Sequence, residues 1–217
     1  MKTKSLVILY AVGAFVALLI GAVAYFARPA EQAAAARTPD PAALVRFHSP
    51  SQGDAAAKVH IVEFLDPACE TCRAFYPYVK ELLHANPGRV RVSIRHAPFH
   101  QGSEDIVRLL EAAKRQGKYW ETLEALLAAQ SQWTIQHRAR LDLAWTVVRG
   151  LGLDMEQLNR DMEAPDITRV IQQDIQDAVN LNVTKTPEFF VNGRPMPSFG
   201  YEQLRTLVER ALREQYG

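Results

Sequence analysis

The sequence predicts an α/β protein built on a parallel strand–helix–strand unit. Three observations carry that expectation. The β-branched, apolar run Val59–Leu65 passes through a short loop into an amphipathic stretch with helical spacing. A second run, 89–95, alternates basic and apolar residues after the Pro87-Gly88 break, and strands joined through a helix pair in parallel by a right-handed crossover. A long helical region then separates this unit from a terminal hairpin and helix.

Taken in order, Leu44-Val45-Arg46-Phe47 reads as a short first strand and 48–54 as a turn. Residues 73–83 have helical character, with Pro77 expected to kink or break the helix. Ser103 is placed to cap a helix beginning near Glu104, with Ile106, Leu109, Leu110 and Ala113 on one face. After Gly117, residues 119–129 continue with Trp120, Leu123, Leu126 and Leu127 at helical spacing. Residues 138–149, stopped by Gly150, and 154–163 suggest shorter helices. Residues 166–180 suggest a longer one burying Ile167, Val170, Ile171, Ile175 and Val179. Trp133 and Trp145 read as packing residues. Strand character returns in Glu188-Phe189-Phe190-Val191, Asn192-Gly193 is a hairpin signal, and 194–197 supply a proline-tolerant edge. A last helix, about 201–215, carries Leu204, Leu207, Val208, Ala211 and Leu212 on its buried stripe.

Upstream lies a membrane signal. Residues 6–27 are 22 consecutive residues without charge, behind Lys2 and Lys4. As a helix at 1.5 Å per residue this run would reach about 33 Å, enough to cross a bilayer core. The lysines orient it with the N-terminus in the cytoplasm and the rest of the chain outside. A signal peptide cut after Ala22-Val23-Ala24 is the alternative, although its apolar core is ordinarily shorter. Either way the domain is exported. Residues 1–27 are therefore read as an anchor or signal segment, 28–42 as an Ala/Pro-rich tether, and 43–217 as the folded domain. The chain carries 25 basic and 24 acidic residues, and without residues 1–27 the balance is 23 against 24. No basic face is implied, and nucleic acid is excluded as a partner.

The chemistry concentrates at the only two cysteines, Cys69 and Cys72, where the strand hands over to the helix. Unpaired backbone N–H groups and the helix dipole favour a negative charge there, which marks Cys69 as the nucleophile and Cys72 as the resolving thiol. A structural disulfide across two residues would close too small a loop to stabilise much. Zinc would need more ligands; His96 and His100 stand far downstream with Pro98 between them. Arg73, where a haem attachment motif needs His, excludes c-type haem. Thiol redox chemistry remains, with no metal or organic cofactor.

The order strand, Cys-x-x-Cys, helix, strand, helices, Thr-Pro, hairpin and final helix resembles the thioredoxin superfamily. More narrowly, it is similar to the DsbA-like thiol:disulfide interchange proteins, over roughly residues 44–217. Glu63 stands where that family has its buried acid and Pro77 at its helix proline. Thr186-Pro187 matches the residue and cis-proline facing the dithiol, and Gln116-Gly117-Lys118-Tyr119-Trp120 matches a phrase of the inserted helices. The resemblance implies a thioredoxin fold with a helical insertion at about 101–165, and Glu63 as the proton acceptor for Cys72. It also implies Thr186 and Pro187 in substrate binding, protein substrates with thiols or disulfides, and a membrane redox partner of the DsbB or DsbD type. The location it implies is a bacterial cell membrane, with the domain facing the periplasm or exterior. Glu70 and Thr71, standing where DsbA has Pro-His, would tune the couple: the Glu70 charge opposes the Cys69 thiolate, giving an expected pKa of roughly 5.5–7.5. The direction of electron flow stays open between oxidant, isomerase and reductant. A redox-inert, peptide-binding or chaperone-like module on the same fold is the alternative function.

Overall fold

A computed structural model describes residues 41–217. Its first half runs α1 (Pro41–Leu44), β1 (Ser51–Gly53), β2 (Val59–Leu65), α2 (Glu70–His84) and β3 (Val90–His96). A helical region follows: α3 (Ser103–Arg115), α4 (Tyr119–Ala128), the single turn α5 (Gln130–Trp133), α6 (Leu141–Val148) and α7 (Met155–Met162). A two-stranded ribbon, β4 (Thr134–Ile135) and β5 (Arg138–Ala139), interrupts it. The chain closes with α8 (Pro165–Asn180), β6 (Glu188–Val191), β7 (Arg194–Pro195) and α9 (Tyr201–Tyr216).

The main sheet has the order β1-β3-β2-β6-β7. β2 pairs with β3 in parallel, Glu63 opposite Ile94 and Leu65 opposite His96, while the other pairings are antiparallel. Both faces of β2 are covered, so its residues are nearly all apolar rather than alternating. Ile61, Leu65, Val92 and Ile94 pack with Phe75, Val79 and Leu83 of α2 and with Leu204 and Val208 of α9. On the opposite face Val62 and Phe64 pack with Leu44, Ala178, Val183 and Phe190. Asn192 (φ 47°) and Gly193 (φ 81°) form the β6–β7 turn, and the Asn192 amide side chain bonds His60 N–H and Lys58 C=O, locking the turn onto β2.

Several expectations change on folding. Residues 44–47 form no strand; the edge strand is Ser51–Gly53, inside the expected turn, paired with Ser93, Val92 and Arg91. The reason is an ion cluster on the outer face of β3. Fully buried Arg95 donates to Asp174 Oδ1 at 2.8 and 2.9 Å, to Asp177 Oδ2 at 2.6 Å and to the Ala43 carbonyl at 2.5 Å. Arg46 grips Asp177 through two bonds of 2.8 Å, and His48 Nε2 lies 2.7 Å from Asp174 Oδ1. These bonds hold 43–48 in a non-strand path. They also extend the buried face of α8: Ile167 and Ile171 are buried as expected, but Asp174 and Asp177 are buried with them and Val179 is 64% exposed. Ser103 does not cap α3; Gly102 takes that position in a left-handed conformation, and the Ser103 hydroxyl donates to Asp66 instead. α2 continues through Pro77 without a break. The helix expected at 138–149 begins only at Leu141, because Arg138 and Ala139 pair with Ile135 and Thr134. Trp133 is fully buried, its indole N–H on the Leu126 carbonyl. The uncharged run 6–27 and residues 28–40 lie outside the described residues; among those described, no helix is long and apolar enough to cross a membrane.

The ion cluster makes a testable contribution to stability. Burial pushes the Asp174 carboxyl up, but the His48 bond and the Arg95 charge outweigh it and hold the pKa at about 2. A carboxyl lowered on folding contributes stability that is present above its unfolded pKa, near 4, and is lost as pH falls toward 2. Urea-unfolding midpoints should therefore fall between about pH 4 and pH 2, and less steeply in Asp174→Asn. Arg95→Met, which leaves two carboxylates buried without their guanidinium, should cost about 3–5 kcal/mol at neutral pH.

Candidate active site

The loop after β2 is organised by one carboxylate. Asp66, fully buried, accepts from Ala68 N–H at 2.8 Å in an Asx turn, from His100 N–H at 2.8 Å and from the Ser103 hydroxyl. His100 Nδ1 lies 2.7 Å from the same carboxylate. Burial pulls the His100 pKa down, but the Asp66 bond and charge outweigh it and raise it, so the pair gains ionic character. The Asp66 carbonyl accepts from Cys69 N–H at 3.1 Å, turning the chain into α2. From the helical region, the Gln130 side-chain amide donates to the carbonyls of Pro67 at 2.8 Å and Cys69 at 3.0 Å.

Cys69 is the N-cap of α2 and accepts from Cys72 N–H at 3.5 Å; as a thiol it donates to the Thr186 carbonyl at 3.3 Å. The Thr186–Pro187 peptide bond is cis. The structure thus brings Cys69, Cys72, Thr186 and Pro187 together. Hydrogen bonds govern the Cys69 charge. A bond from the Cys72 thiol leads; burial opposes it, and bonds from the Thr186 side chain and the backbone N–H groups of Cys72 and Thr71 add to it, drawing the pKa to about 5. That is below the 5.5–7.5 expected, because the Cys72 and Thr186 bonds exist only in the fold. Thr71 contributes through its backbone, while Glu70 sits half-exposed at the first position of α2 with its carboxylate 3.1 Å from His137 Nδ1. Cys72 is fully buried, and burial, the bond to Cys69 and the nearby Glu63 push its pKa well up.

Glu63 lies on the α2 face of β2, fully buried, with neither oxygen hydrogen-bonded. Burial first, and then the Cys69 charge, raise its pKa to about 8. A cavity of about 10 Å³, room for about one water, is lined by Glu63, Tyr76, Lys80 and Trp120 among others. Tyr76 and Lys80 both donate to Glu124 Oε1 of α4, at 3.2 and 2.7 Å. Beside the dithiol, Phe75 stacks on Tyr201 with ring centroids 4.2 Å apart, and Phe199 lies 4.8 Å from Phe75, leaving two half-exposed aromatics next to α2. His96 turns away toward Glu111, with Nε2 at 3.2 Å. Among the described residues, no group of three or more His, Cys, Asp or Glu is arranged to hold a metal ion.

Sequence reasoning missed the site roles of Asp66, Gln130 and His137, weighed His100 only as a zinc ligand and read Ser103 as a helix cap. Asp66 carried a local signal, an Asp two residues before the amide that it caps. The other four come from distant elements and carried none for these roles.

Known proteins resemble this chain to different degrees. A family model described as thioredoxin matches residues 47–210. A thioredoxin-like oxidoreductase from Silicibacter pomeroyi DSS-3 is 34% identical and superposes with a TM-score of 0.70, over 80% of this chain and 98% of that one. α-DsbA1 of Wolbachia pipientis, at 19% identity and a TM-score of 0.68, shares the fold over 79% of this chain and 94% of its own. The Na(+)/H(+) antiporter NhaA of Herminiimonas arsenicoxydans is 29% identical over 143 residues, 66% of this chain but 22% of the antiporter. The chain thus spans about a fifth to a quarter of the length of the curated relatives that it matches.

The orphan carboxyl predicts an unusual pH dependence. A carboxyl raised on folding from 4.5 to about 8 costs nothing while protonated in both states, and destabilises the fold as pH climbs through that window. Urea midpoints should fall between pH 5 and pH 8 in the wild type, and the fall should flatten in Glu63→Gln.

Proposed function

The chain belongs to the thioredoxin family, and from that premise we propose that it is an extracytoplasmic thiol:disulfide oxidoreductase acting on protein substrates through Cys69 and Cys72. The observation that carries this reading is the opposed state of the two thiols. Cys69, at the surface end of the pair, has a pKa drawn to about 5 and is a thiolate at neutral pH; Cys72 beneath it is held protonated. A thiolate is the attacking species in disulfide exchange.

Cys69 Sγ attacks one sulfur of a substrate disulfide. The substrate S–S bond breaks, one substrate sulfur leaves as thiolate, and a mixed disulfide forms. Once Cys69 is bonded, its negative charge is gone, and with it the repulsion that helps keep Glu63 protonated. Glu63 then ionises more readily, so a carboxylate is available to take the proton at the moment when Cys72 must lose it. The Cys72 thiolate attacks Cys69 Sγ and expels the second substrate thiolate. The protein finishes as the Cys69–Cys72 disulfide, and the substrate has gained two electrons; run backwards, the same steps oxidise a dithiol. Thr186 and Pro187 flank Cys69 and serve as the substrate-binding edge. A Cys69 pKa near 5 lies between the values of about 7 for thioredoxin and 3.5 for DsbA. This favours a couple more oxidising than thioredoxin's and less than DsbA's, with Glu70 and Thr71 among its tuners. A membrane partner of the DsbB or DsbD type would reset it. The uncharged run 6–27 supports anchoring the domain outside the cytoplasmic membrane, and the occurrence of a similar domain within chains named as antiporters agrees with work at a membrane.

Cys72→Ser should accumulate mixed disulfides with substrate proteins through Cys69, and Cys69→Ser few or none. Equal trapping by both would remove Cys69 as the entry thiol, and failure to reduce insulin would favour the redox-inert, peptide-binding module. The reduction potential should fall between about −270 and −120 mV. For the anchor, full-length protein should stay with membranes after a high-salt wash; recovery of a soluble form beginning near Tyr25 would make the segment a cleaved signal.

A further inference from the structure

The β4–β5 ribbon reaches the dithiol. Its turn residues, Gln136 (φ 51°) and His137 (φ 59°), are both left-handed, a conformation ordinarily left to Gly, Asn or Asp in two-residue hairpins. The ribbon is fastened at both ends, to the cysteine loop on one side and to the segment before α3 on the other. Before it, Gln130 clamps the Pro67 and Cys69 carbonyls, and the Thr134 hydroxyl donates back to the Gln130 carbonyl. After it, Ala139 N–H donates to the Gln101 carbonyl at 2.8 Å. The Ala139 carbonyl presses so closely on Gly102 (φ 79°) that a Cβ there would lie 2.5 Å from it. So held, the tip brings His137 Nδ1 within 3.1 Å of Glu70 Oε1, on the residue directly after Cys69. These contacts fix the two ends of the ribbon, and its tip sets a largely exposed imidazole, 76% accessible, beside the acid of the Cys-x-x-Cys loop.

We propose that His137 is a positioning residue for the dithiol: its cation holds the Glu70 carboxylate toward the ribbon and offsets the negative charge that Glu70 would otherwise set against the Cys69 thiolate. This rests on the dithiol reading above and adds to it a tuning element supplied by the helical region. The other charges acting on Glu70 include His100, bound to Asp66 on the loop after β3, and Arg138 stands beside His137 on β5. Two imidazoles from different segments, His100 from the loop after β3 and His137 from the ribbon tip, thus act on the one Glu70 carboxylate. The acid between the cysteines is tolerated because it is neutralised from outside the thioredoxin core.

The test is thiolate absorbance of Cys69 near 240 nm, titrated around pH 5, where imidazole side chains carry a proton. His137→Asn keeps a residue suited to the left-handed turn and removes the charge; His137→Lys keeps a cation. His137→Asn should raise the Cys69 pKa by about 0.2–0.7 unit and shift its equilibrium against glutathione toward the disulfide by up to about fivefold. His137→Lys should restore the wild-type values, and in a Glu70→Gln background His137→Asn should move neither quantity. An unchanged pKa in His137→Asn, or the same shift with and without Glu70, would overturn the proposal. Cysteines that never equilibrate with glutathione would overturn the oxidoreductase reading instead, and the thiolate titration would still decide the role of His137.

Discussion

The site depends on one buried carboxylate. Asp66 satisfies the Ala68 amide, the His100 amide and ring, and the Ser103 hydroxyl, and so ties the end of β2 to the start of α3. A buried carboxylate without such partners would be costly; with them it fixes the loop from which Cys69 enters α2. The geometry of the thiolate follows. Cys69 sits as an N-cap because its own N–H is held by the Asp66 carbonyl, and the Cys72 amide then points at its sulfur.

Glu63 presents the opposite solution. Its oxygens lack hydrogen-bond partners, so burial keeps it protonated, and the Cys69 charge reinforces that. The two groups exclude each other's charge: when the thiolate is present the acid stays neutral, and when the thiolate is consumed the acid is freer to ionise. Stability and chemistry conflict here, since an apolar residue would pack this site without the penalty that Glu63 brings above its unfolded pKa. On the function proposed above, the acid at this position takes the proton that Cys72 must give up.

The outer face of the sheet is held by charge as well as by apolar packing. Arg95, Asp174, Asp177, Arg46 and His48 form a cluster whose members come from β3, α8 and the segment after α1. Removing Arg95 would strand the buried Asp174 and Asp177 carboxylates, while Arg46 at the rim keeps partial access to water. Because the cluster includes residues 43–48, the path of the chain into the domain is fixed by it rather than by sheet pairing.

The sequence by itself determined the central strands, their parallel crossover, the active-site helix, the Asn192-Gly193 hairpin and a Cys-x-x-Cys at a strand-to-helix junction, while Thr186-Pro187 was tied to the dithiol only through the family resemblance. Each of the former rests on local physics: side-chain period, turn preference, and the charge favoured at a helix N-terminus. Asp174 and Asp177 show where that stops. The stripe expected for that helix did not include them, and their burial follows from a guanidinium brought from β3, 79 residues away from Asp174, while Val179 at the stripe's end is exposed. Ser103 likewise looked like a cap until Asp66 offered a charged acceptor. Tertiary structure alone decided that Gln130 and His137 reach the cysteine loop, and that Cys69 is more acidic than Glu70 suggested. The physical reason is common to these cases. Hydrogen bonds and charge pairs in low dielectric depend on where distant side chains come to lie, and no local pattern encodes that.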